Sequence, residues 1–244
     1  MTTATQAADL IRTHLARVTH LRDQADAAGL SQAVHEIKQL QARRFSATYM
    51  DFLSDARHAQ ATRFFLEELY GEHDFRERDR QFGRIAGAIE RLFPEAVALL
   101  AVDLAETHAL TETLDYRLAT HWLGQDPTIP AAVRYTKSWR LTGQHEQRER
   151  QLVVVLHMAT ELQRLTRMNS LRLALKLMRR PAQAAGLSDL QQFLERGFDS
   201  FSTMGDASRF LSAIQHRERY WIDTLFDANA ATASAALQAE LARA

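Results

Sequence analysis

The sequence predicts an all-α protein, an irregular bundle of about nine or ten helices. Three observations predict it. Only nine glycines and four prolines interrupt 244 residues. The stretches between them are rich in Ala, Leu, Arg, Glu and Gln, which favour helix. The one strand-like run, 152–156, sets its valines inside a longer helical pattern. A hydrophobic content of 46% supports a substantial core at this length.

The elements follow in order from their stop signals. A first helix, 5–28, ends at Gly29, and Ser31 opens the second, 31–55. The third, 58–70, carries Phe64-Phe65-Leu66-Glu67-Glu68-Leu69-Tyr70-Gly71. Leu69 follows Leu66 by three residues and Phe65 by four, so the three line one side of the helix, while Glu67 and Glu68 are expected to face solvent. Gly71 ends this helix because only glycine enters the left-handed position without steric cost. Asp74 can cap the fourth helix, 75–93, with Glu77 three residues on to reach back to the cap. Phe82, Ile85, Ile89 and Phe93 continue that helix until Pro94.

A long helix, 95–123, runs to the Gly124–Pro130 loop, the best candidate sub-boundary. Helices at 131–142, 145–168 and 170–180 follow, the last stopped by Pro181. Ser188 and Gln191 form a capping-box pattern for 188–204, and Gly205-Asp206 precedes 207–227. Residues 1–228 read as one bundle with short antiparallel connections, and the alanine-rich stretch 229–244 as a frayed or disordered tail. Phe65-Leu66-Glu67 and Phe193-Leu194-Glu195 are each followed by Phe seventeen positions later, a weak sign of two related halves.

The Phe64–Gly71 stretch, with Asp-Phe-x-x-Arg-Asp-x-x-Phe following at 74–82, resembles the bacterial helical proteins named for an FFLEELY motif. The likeness is close at this segment, looser over 181–226, and follows the general layout from the second helix to Phe226. It implies a helical fold and no chemistry. Each residue of the motif has a folding reason, so Phe64 to Gly71 and Asp74 read as a packing corner.

Chemistry is narrowed by what is missing. Without cysteine, disulfides, thiolate metal sites and cysteine nucleophiles are excluded. A di-iron bundle needs two Glu-x-x-His pairs, and none of the ten histidines provides one. The nearest spacing, Asp55-x-x-His58, is a single pair. No His-Glu-x-x-His, Gly-x-Ser-x-Gly or phosphate-loop pattern occurs, so neither a catalytic residue nor a metal or other cofactor is assigned. His157 lies in an apolar run but on the far side from Leu152, Val155, Ala159 and Leu162, which argues against a haem ligand. The N-terminal 17 residues lack a signal-peptide core, and the runs 96–102 and 151–160 are too short to span a bilayer. A cytoplasmic location is expected.

Two constellations remain. Leu104, His108, Glu112 and Asp115 share one face of the long helix, where a carboxylate one or two turns from an imidazole can fix its tautomer or join it in binding a metal. Within 134–180, eleven Lys/Arg stand against three Asp/Glu, a local +8 in a chain of net charge zero. Arg134, Lys137, Trp139, Arg140, Arg172, Lys176 and Arg179 are its interaction candidates. By elimination, the leading expectation is a non-enzymatic interaction or regulatory module that engages a protein partner or a second copy. The alternative is a small-ligand pocket protein, with haem or a metal among its candidate ligands, or an unrecognised enzyme, built around His108, Glu112 and Asp115. Nucleic-acid binding through the basic segment is the third.

Overall fold

The computed structural model describes residues 6–69 and 75–244, apart from the side chains of Leu69 and Leu92. The corner assigned to Tyr70, Gly71 and Asp74 lies outside the described residues, as does the side chain of Leu69. Among the described residues there are twelve helices and no strand: α1 (Ala7–Ala27), α2 (Ser31–Thr48), α3 (Met50–Ser54), α4 (Ala59–Leu69), α5 (Arg76–Leu92), α6 (Glu95–Leu123), α7 (Ala131–Thr142), α8 (His145–Thr166), α9 (Asn169–Ala184), α10 (Ser188–Met204), α11 (Ser208–Phe226) and α12 (Ala230–Leu241).

Two helices exceed the expected set. The stretch 31–55 divides at Tyr49, whose φ of −113° and ψ of 21° break the helix and drop its ring into the core. The alanine-rich stretch is no tail. It forms α12, capped by the Asn229 side chain, which accepts from the Ala231 N–H at 2.9 Å, and it buries Ala233, Leu237 and Leu241 against α2 and α7. Small side chains let it sit close to its neighbours, which composition alone disguised as disorder.

Three local expectations also change. α9 runs through Pro181 to Ala184, because the proline sits exposed in the last turn, where the carbonyl it releases can be satisfied by solvent. Ser188 does not cap α10: Gln191 donates instead to the Leu175 carbonyl at 2.7 Å and to Glu195 at 2.8 Å. Glu77 is likewise engaged within its own helix, with Arg80 at 2.7 Å and Gln81 at 3.2 Å.

α6 is the spine. At 29 residues it spans roughly 43 Å and packs against α1, α2, α5, α7 and α8. Its N-terminal half (Ala98, Val102, Ala105) joins α1, α5 and α10 in one apolar cluster. Its C-terminal half (Leu118, Ala119, Trp122) joins α1, α2, α7, α11 and α12 in another. A third cluster gathers α3, α4, α8, α10 and α11 around Phe52, Phe65, Phe201 and Phe210.

Candidate functional site

Between its two apolar halves α6 buries polar side chains: Thr107, Glu112, Thr113 and Asp115. Buried charges require partners, and the neighbouring helices supply them. His108 Nε2 lies 2.9 Å from Asp79 Oδ2 and 3.2 Å from Arg22 Nη2. Arg22 also donates to Asp79 at 2.8 Å, and Lys38 donates to Glu112 at 2.7 Å. Asp115, fully buried, accepts from Gln41 at 3.0 Å, and Gln41 reaches the Tyr135 hydroxyl at 3.3 Å.

The chain of charges continues to α4. Glu68 is buried, not solvent-facing as its position beside Glu67 suggested. It pairs with Arg78 at 2.7 Å and with Arg196 of α10. The Arg78 guanidinium is sandwiched between Phe75, at 3.9 Å, and Phe193, at 4.8 Å. Glu67 remains in solvent.

The electrostatics follow from this packing. Burial drives the Asp79 carboxyl up, but the His108 hydrogen bond and the charges of His108, Arg22 and Arg78 outweigh it and hold it below the usual range. Glu112 behaves alike: burial opposes ionisation, while Lys38, His108 and Arg22 prevail. Asp115 goes the other way. Burial raises it, because Lys38 stands 4.0 Å off and one carboxylate oxygen has no hydrogen-bond partner. The three residues expected on one face of α6 are thus brought together and bonded to Arg22, Lys38 and Gln41; Arg22, Lys38 and Glu112 also line an open cleft of about 280 Å³. A space of about 20 Å³ remains beside Glu68, Arg78, Asp79 and His108, enough for about one water.

Next to it, sharing Phe82, Leu104, Leu190 and Phe193, opens an apolar cavity of about 140 Å³. α5 contributes Phe82, Ile85 and Ile89, α6 Val97, Leu100, Ala101 and Leu104, α8 Met158, Ala159 and Leu162, α10 Leu190, Phe193, Leu194 and Gly197, and α4 Phe64 and Phe65. Three small residues on three helices, Ala101, Ala159 and Gly197, are part of its lining. A Cβ on Gly197 would stand 2.9 Å from the tip of the Phe64 ring, so glycine is what lets that ring lie there.

The basic segment is dispersed. Trp139 is buried beneath Arg148, whose guanidinium stacks on it at 4.0 Å. Arg134 stacks on Trp122 at 3.9 Å, and Arg140 caps the end of α11 through the Leu225 carbonyl at 2.9 Å. Arg150 pairs with Glu106 at 2.7 Å, and Lys137 is exposed on α7. Arg172, Lys176 and Arg179 lie together on the exposed side of α9. His157 is exposed and bonded to Asp103 at 2.6 Å. His58 is buried against Phe52 and Phe210 and bonded to Asp55. Among the described residues, His145, Asp223 and Asp227 form an exposed group with ligand atoms within 4.8 Å of one another.

Sequence reasoning missed Arg22, Lys38, Gln41, Arg78 and Asp79. One signal was present: Gln41 stands four residues after Ile37, in the register of the buried Ile37 and Leu40, so a polar group was already at a core position.

Neither the curated proteins nor the solved structures contain a match to this chain. The model of one family, described as a domain of unknown function (DUF8198), matches residues 20–232, and the chain belongs to that family.

Proposed function

We propose that the protein is a non-enzymatic helical binding protein that takes a small apolar molecule, or the apolar part of one, into the cavity between α4, α5, α6, α8 and α10. The observation that carries this reading is a space of about 140 Å³ with apolar walls, close in size to the roughly 150 Å³ engineered cavity that stays dry and admits benzene. Apolar walls favour an apolar occupant, which removes their surface from water, and binding to the folded state stabilises it. The adjoining ion network supports binding over catalysis: Asp79 and Glu112 already hold internal cations, and Asp115 is sealed from solvent. A partner-binding role finds its support chiefly in α9, since most other basic side chains of 134–180 are engaged within the fold.

Thermal melting with and without benzene or indole, alongside native mass spectrometry of the purified protein, tests the reading. A rise in Tm with added ligand is expected in the wild type and not in Ala101→Leu, whose added side chain fills the space. No shift with any apolar probe and no co-purifying ligand, or equal shifts in both proteins, would overturn it.

A further inference from the structure

Helix α9 is apolar over more of its circumference than the bundle covers. Its inner side packs on α10 and α8. Leu173, Leu177 and Met178 nevertheless remain 58%, 68% and 43% exposed. Leu173 and Leu177 are four apart and stand in one row along the helix. Beside that row run Arg172, Lys176, Arg179 and Arg180, and no acidic residue occurs between Asn169 and Ala184. Arg179 is neutralised by Glu195 at 2.7 Å, and Arg172 donates to Ser202 at 2.8 Å. Lys176 and Arg180 extend the exposed positive side, and Arg167 and Met168 repeat the same pairing of cation and apolar side chain just before the helix.

We propose that α9 is an interfacial helix that lies on an anionic lipid surface, with Leu173, Leu177 and Met178 at the boundary of headgroups and acyl chains and the cations at the level of the phosphates. A basic helix with an apolar side and low net hydrophobicity has this property. The helix lies on the surface and does not cross it: 16 residues fall short of the roughly 20 needed to span, and among the described residues no helix is long and apolar enough to cross a membrane. Charge complementarity selects anionic lipid. Nucleic acid would engage the cations and leave the leucine row in water. A protein partner would have to offer a groove, whereas a convex helix packed from behind meets a flat bilayer along its whole length. The inference does not depend on the cavity reading.

Flotation of the full chain with vesicles of phosphatidylcholine alone, or with phosphatidylglycerol added, tests it at low and high salt. The wild type should float only with the anionic vesicles and be released by salt. Lys176→Gln with Arg180→Gln should weaken binding by roughly fivefold per charge. Leu173→Gln with Leu177→Gln should weaken it about tenfold or more. Both double variants should keep the wild-type Tm, since these side chains are exposed. Failure of the wild type to float with anionic vesicles would overturn the proposal. So would a leucine variant that floats as well as the wild type, which would leave only a patch of cations. Equally tight binding to polyglutamate, with the same sensitivity to the leucine pair, would reassign the surface to an acidic protein.

Discussion

Arg78 Nη1 lies 2.7 Å from Glu68 Oε2, tying the end of α4 to the start of α5 with Glu68 buried and Arg78 largely so. Loss of one partner from a buried pair leaves the other charge uncompensated. Glu68→Gln is expected to cost roughly 3–5 kcal/mol in urea unfolding, and Glu67→Gln, one residue away in solvent, to stay within about 0.5 kcal/mol. Equal effects of the two substitutions would show that Glu68 is not a keystone of the corner.

Asp115 predicts the opposite sign. Asp115→Asn keeps an oxygen to accept from Gln41 and removes a carboxyl that burial pushes up. A raised folded pKa contributes stability that is complete below the unfolded value, about 3.9, and is lost as pH rises through the folded one. The asparagine variant should therefore melt above the wild type at neutral pH, and its advantage should shrink on acidification toward pH ~4. An advantage independent of pH would contradict this account.

Asp79 and Glu112 are held down by the cations around them, so their contribution is present above the ordinary carboxylate range and lost as pH falls through their folded pKa values. In Asp79→Asn with Glu112→Gln, neutral-pH stability should drop by several kcal/mol, about 3–5 for the first broken pair alone. The acid limb of its stability curve should also be flatter than that of the wild type. Melting curves from pH 7 down to about 3 check both expectations together.

Leu237, 1% exposed on α12, fills the cluster that also holds Trp122, Trp139 and Trp221. Leu237→Ala should cost about 2–5 kcal/mol, a loss readable in the tryptophan fluorescence transition. A melt indistinguishable from the wild type would return residues 230–241 to the status of a tail.

Helix existence was legible because glycines, prolines and apolar periodicity act locally. The face shared by His108, Glu112 and Asp115 was legible for the same reason. Their partners were not, since Arg22, Lys38 and Asp79 lie 29 to 90 positions from His108 or Glu112 in sequence, and nothing in a surface-like Arg-Glu-Arg-Asp run marks which members turn inward. Glu67 and Glu68 look alike in sequence, and Arg196 of α10 reaches both; what separates them is Arg78 of α5, which pairs with the buried Glu68. The cavity was hidden too: its apolar strips are visible on each helix, but a space between helices depends on how five of them pack together.

The late position of α12 sets an order on biosynthesis. The cluster around Phe82 and Phe193 holds all its members once residue 193 has emerged from the ribosome. The cluster around Phe65 and Phe210 needs residue 222, and that around Trp122 needs residue 241. At roughly 5–20 residues per second, the faces of α2 and α7 that receive α12 stay uncovered for roughly 2–10 s after the first cluster can close. In that interval the nascent chain shows a hydrophobic surface around Trp122 and Tyr135, and chaperones that recognise exposed aromatic side chains have their opportunity there.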